Sequence, residues 1–149
     1  MSPSESQEVV DACLAEEGWM QGEDGWVTVP EDQFEASNLS IYICTAQYPI
    51  NPDFLSPLTE GQFARLYDHW ISDTLPCAQG YGVVIDSDLI PSKEVFLENP
   101  YAWTPFSALM PQLVQMEESG QISSVDSFLA ETCPGPDEWE LRDLERPDE

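Results

Sequence analysis

Four cysteines, Cys13, Cys44, Cys77 and Cys133, offer this chain its most definite chemistry. Thiols so widely spaced close disulfides, hold a metal, or stay buried and free. Zinc is the weakest of these, because no C-x-x-C pair occurs and the lone His69 stands at no ligand spacing. Disulfides allow three pairings. Asp86-x-Asp88 with Glu94 opens like a calcium loop, but Pro91 stands at the sixth position, where such a loop needs glycine. A solvated turn is the simpler reading. His69 has no nucleophile in a G-x-S-x-G context, and no glycine loop is built to cradle phosphate. With 29 Asp and Glu residues, two neighbouring carboxylates carry no signal of glycoside hydrolysis. These residues predict neither an enzyme nor a bound cofactor or metal.

The order of residues around the cysteines suggests how they pair. Ala-Cys13-Leu-Ala-Glu-Glu-Gly-Trp19 leads to Val-Pro30-Glu-Asp-Gln-Phe34 and then Cys44-Thr-Ala-Gln-Tyr-Pro49. Pro-Cys77-Ala-Gln-Gly-Tyr81 leads to Ile-Pro91-Ser-Lys-Glu-Val-Phe96 and then Cys133-Pro134. Both passages run helix, Cys, Gly, aromatic, extended stretch, Pro, Phe, second Cys. The repeat predicts Cys13–Cys44 and Cys77–Cys133, each stabilising by about 3–4 kcal/mol in the chain-entropy model. Two such bridges would place the protein in an oxidising compartment. Aromatics recur beside the glycines of each passage. Trp19, Trp26, Tyr81 and Trp103 are the candidate ligand-binding residues, since flat apolar faces beside carboxylates suit sugar stacking. Core packing is their competing role.

The charge excludes more than it identifies. Against 29 acidic residues stand 4 Lys and Arg, for a net charge of −25. Nucleic-acid binding needs cationic contacts to phosphate, so direct binding is excluded, and anionic lipid headgroups are repelled too. Three readings remain: solubility, imitation of a phosphate backbone in the basic site of a DNA-binding protein, and cation binding or salt adaptation. An apolar content of 42% with 11% aromatics marks a folded chain. No stretch approaches the ~20 apolar residues of a membrane span. Met1-Ser2-Pro3-Ser4-Glu5 lacks the basic start and apolar core of a signal peptide. That beginning fits a cytoplasmic protein or the mature segment of a secreted one.

Stepping along the chain, the first helix is expected over 5–17, with a capping box at Ser4 and Gln7 and a stop at Gly18. Trp19-Met20 and Trp26-Val27-Thr28-Val29 predict a hairpin around Gly22-Glu23-Asp24-Gly25. A helix follows over 31–47, although Leu39-Ser40-Ile41-Tyr42-Ile43 is β-branched enough for a strand. Three prolines mark 49–58 as a connector. Thr59 and Gln62 cap the strongest helix, whose stripe of Phe63, Leu66, Tyr67, Trp70, Ile71 and Leu75 makes it the spine of the core, with Pro76 as its stop. A short strand over 80–85, brief helices starting at Pro91 and Pro111, and a last helix capped by Ser124 complete the body. Residues 134–149 read as an acidic, proline-rich tail, disordered or loosely docked.

Several of these phrases together resemble small extracytoplasmic and lipoprotein-derived proteins of actinobacteria. They are Cys13-Leu-x-x-x-Gly18-Trp19, Leu66-Tyr67-Asp68-x-Trp70, Pro76-Cys77-x-x-Gly80-Tyr81, Pro91-Ser92-x-Glu94-x-Phe96, Trp103-x-Pro105-Phe106 and Cys133-Pro134. The resemblance implies an extracytoplasmic location and disulfides, and carries over no catalytic or binding residue. The expectation is a mainly helical α+β fold, a single domain over 1–133 built from pseudo-repeats at about 5–49 and 59–133. Its expected function is non-enzymatic binding of an unknown envelope or surface component. The competing function is that of an acidic nucleic-acid-mimicking inhibitor.

Overall fold

The computed structural model describes residues 1–22 and 27–147. It is mainly helical and divides into two compact units, one spanning Met1–Pro57 together with the chain from Arg146 onward, the other Leu58–Glu145. Each unit closes its own disulfide: Cys13–Cys44 in the first, Cys77–Cys133 in the second. Both pairings match the prediction from the repeated passages.

In the first unit, helix α1 (Pro3–Glu16) starts earlier than expected. Ser2, not Ser4, is the cap: its hydroxyl accepts from the Glu5 amide while the Glu5 carboxylate accepts from the Ser2 amide at 2.9 Å. Pro3 explains the shift, because its fixed φ and missing N–H suit the first helical turn. Gly18, at φ +95°, ends the helix as predicted. Its amide reaches Ala15 and that of Trp19 reaches Leu14, which satisfies the last carbonyls. No hairpin strands are present among the described residues. Among the described residues only an isolated antiparallel bridge joins Gln21 to Val27, and residues 23–26, Trp26 included, lie outside those described. Two short strands without a third are marginal in water.

Pro30 and a 3₁₀ turn (Glu31–Gln33) lead into helix α2 (Phe34–Gln47). The helices run antiparallel: the Ser6 hydroxyl donates to the Tyr48 carbonyl at 2.8 Å and the disulfide joins Cys13 to Cys44. The supposed connector is part of this unit. Asn51 donates to the Met1 carbonyl at 2.9 Å, and Phe54 is buried on the 3₁₀ turn Pro52–Leu55.

The second unit opens with α3 (Glu60–His69), held by the predicted Thr59–Gln62 capping box. Pro76 does not stop it. The chain passes through a π turn (Trp70–Thr74) into α4 (Leu75–Gly80), with Pro76 inside. Proline lacks an N–H and clashes with the carbonyl four residues back, and a wider turn relieves the clash. Short α5 (Lys93–Glu98) is capped by Ser92. Helix α6 (Phe106–Glu118) begins well before Pro111, which it contains. Helix α7 (Val125–Ser127), capped by Ser124, runs through a second π turn (Phe128–Thr132) to Cys133.

The strand expected over 80–85 is also absent. Gly82 turns the chain at φ +96°, and the extended backbone beyond it pairs with a side chain. The Gln112 amide accepts from the Val84 N–H and donates to the Val84 carbonyl, each at 2.8 Å. A glutamine on α6 thus fills the place of a neighbouring strand, and the α+β assignment gives way to a helical one.

The predicted stripe on α3 does lie at the core. Tyr67, Trp70 and Phe96 are buried together with Phe63, Trp103 and Phe106 packed around them. Leu75 joins a second cluster with Ala78, Leu109, Leu113 and Phe128. Nor is 134–145 a free tail. Helix α8 (Glu138–Leu141), capped by Asp137, buries Trp139 to 4% exposure. The Gln62 side chain donates to the Arg142 carbonyl at 3.2 Å, and Arg65 pairs with Asp143. The two units share closure by a disulfide but not an element order, so the repeat goes no further than that.

Candidate functional site

Helix α2 carries the feature that most needs explaining, and it begins with which side chains face α1. Only Ser37, Ser40 and Cys44 are buried. Spaced three and four residues apart, they form one narrow stripe. Small side chains there let the helices approach closely, and across the contact α1 buries Ser6 and Val10. The Ser37 hydroxyl is satisfied locally, donating to the Phe34 carbonyl at 3.1 Å.

The apolar residues of α2 point elsewhere. Phe34 is 51% exposed, Leu39 59%, Ile41 47%, Tyr42 73% and Ile43 40%. A surface helix ordinarily buries such residues and exposes its serines. Here the polarity is reversed. Leu39 and Ile43 lie one turn apart on one flank, and Phe34 and Ile41 two turns apart on the other, with Tyr42 between. At the N-terminal end stand Glu31, Asp32 and Glu35, all exposed. Beside the helix is a cavity of about 330 Å³, lined by Leu14, Trp19, Val27, Val29 and Ile41 with polar groups from Gln7, Gln21 and Ser37.

The electrostatics of this unit are one-sided. Met1–Pro57 contains eleven Asp and Glu and no Lys, Arg or His. The cation this unit does contain, Arg146, is bonded to Glu5 at 3.1 Å.

The aromatics singled out from the sequence fall in both units. Trp19, half-buried, lines the cavity of the first unit. Tyr81 belongs to the second unit, exposed and edge-on to Phe128 at 5.4 Å. Trp103 is in that unit too, but packs with Trp70 at 5.9 Å and Phe96 at 6.2 Å in the aromatic cluster. Trp26 lies outside the described residues. Between Tyr81 and Trp103 no shared groove forms, because each ring is spent on a different neighbour. All four cysteine sulfurs are tied up in the two bridges. Asp86 accepts from the Asp88 amide at 2.9 Å and so caps a turn. His69 meets the Pro134 carbonyl at 3.0 Å and Asp73 at 3.3 Å. Among the described residues no group of three His, Cys, Asp or Glu side chains could hold a metal ion.

Sequence reasoning missed the α2 face. The available signal was the serine stripe itself, since Ser37, Ser40 and Cys44 share one side of the helix and Leu39, Tyr42 and Ile43 another. Comparison with known proteins gives no further guide: no family model, curated protein or solved structure matches this chain.

Proposed function

We propose that this is an extracytoplasmic, non-enzymatic binding protein of the cell envelope, working through the exposed apolar face of α2. The reversed polarity of that helix carries the reading. Exposed apolar area of this kind opposes folding economy and marks interaction sites. The location is supported by two disulfides, since such bonds persist in oxidising compartments, and among the described residues no helix is long and apolar enough to cross a membrane.

A second reading has its own support. Eleven acidic residues without one Lys, Arg or His over Met1–Pro57 suit an acidic inhibitor that occupies the nucleic-acid site of a basic protein. A phosphate backbone has no counterpart to Leu39, Tyr42 and Ile43, which favours the first reading. The test combines two measurements on cells producing the protein. Intact mass after alkylation without reductant should show two bridges in the envelope or secreted fraction. Purified protein should be retained by envelope preparations, and Leu39→Gln with Tyr42→Gln should release it. Four alkylated thiols in a cytosolic fraction, or equal retention of the double variant, would overturn the proposal.

A further inference from the structure

We infer that the α2 face receives a cationic amphipathic helix, with its apolar stripe on Leu39, Tyr42 and Ile43 and its Lys or Arg residues toward Glu31, Asp32 and Glu35. This inference rests on the binding-protein reading and specifies the partner's chemistry. Length is the first argument. Fourteen residues make a helix of about 21 Å, and an apolar face on such a helix fits the side of another amphipathic helix.

Charge decides between the occupants. A second copy would bring Glu31, Asp32 and Glu35 against an equally acidic unit, and like charges across an interface cost several kcal/mol. An anionic membrane surface is repelled for the same reason, and interfacial helices carry Lys and Arg where this unit has none in Met1–Pro57. An apolar face with carboxylates at its N-terminal end is complementary to an apolar stripe flanked by Lys or Arg.

The experiment uses the full chain and two labelled synthetic peptides of about 18 residues, both made of Leu and Lys. One is patterned at the helical period, the other permuted so that no helical face exists. Binding is followed by fluorescence anisotropy at about 0.15 M and 1 M NaCl, where the screening length falls from about 8 to 3 Å. The patterned peptide is expected to bind at least about tenfold tighter than the permuted one, a difference of about 1.4 kcal/mol. Leu39→Gln with Tyr42→Gln should remove that advantage and leave the permuted peptide unchanged. At high salt the patterned peptide should retain measurable binding while the permuted one loses it. Equal affinity for both peptides would overturn the inference in favour of charge alone. So would an unchanged preference in the double variant, or a wild-type dimer in sedimentation that the double variant dissociates. If envelope retention depends on α2 but the peptides are not distinguished, the binding reading stands and the cationic-helix partner falls. If neither depends on α2, both fall.

Discussion

Reversing which substitutions hurt is the sharpest consequence of an inside-out α2. Leu39 is 59% exposed. Full burial of a leucine contributes about 1.5–3 kcal/mol, so the two-fifths of its surface removed from water contributes about 0.6–1.2 kcal/mol. Leu and Gln have nearly equal helix propensity. Leu39→Gln should therefore cost no more than about 1.2 kcal/mol in total. Ser37 is the opposite case: 5% exposed and facing α1. Placing a leucine there overfills a close helix contact, at about 1–3 kcal/mol. Hydrogen exchange of the α1 and α2 amides reads the opening free energy of this unit by itself. The expected order is that Ser37→Leu lowers protection clearly more than Leu39→Gln. Were α2 packed in the usual sense, the buried leucine would be the costly one, at about 2–5 kcal/mol for large-to-small replacement. A loss above about 2 kcal/mol for Leu39→Gln together with a neutral Ser37→Leu would refute the reasoning.

Three further expectations concern stability. Phe96, at 2% exposure, touches Phe63, Tyr67, Trp70 and Trp103, and Phe96→Ala should cost about 3–5 kcal/mol in the second unit, read by urea unfolding. Trp139→Ala should destabilise that unit by a similar amount, about 3–5 kcal/mol, and speed amide exchange in α3, whereas a merely tethered tail would leave α3 unchanged. Net charge of −25 makes self-repulsion a large term, so the melting temperature should rise with NaCl as the Debye length shortens from about 10 Å at 0.1 M to 3 Å at 1 M. A flat or falling salt dependence in calorimetry would contradict this.

Parts of this architecture were legible because local chemistry decides them. Thr59 and Gln62 state a helix start in four residues, Gly18 states an end, and the α3 stripe states which side is inward. Prolines misled. Pro76 and Pro111 were read as boundaries, yet a single proline removes one N–H and displaces one carbonyl, which a π turn or a tolerant helix absorbs. The missing strand at Val84 was invisible for a different reason: its partner is the Gln112 side chain, and no pattern in the sequence announces that pairing. Acidity hid the α8 segment, because Trp139 was one aromatic among many carboxylates and its burial depends on contacts remote in sequence. Trp103 stands two residues before Pro105, and its packing with Trp70 and Phe96 joins partners too remote in sequence for any local pattern to announce. Most important, the side of α2 that packs is the one with Ser37, Ser40 and Cys44, while Leu39, Tyr42 and Ile43 share an exposed side, the reverse of what apolar patterning leads one to expect.

The two bridges also follow one another along the chain without interleaving: the first ring closes at Cys44 before the second opens at Cys77. Order of appearance is therefore the same as order of pairing. Pairing each of these cysteines with its neighbour along the chain, as an oxidase meeting them amino end first could do, yields the native connectivity.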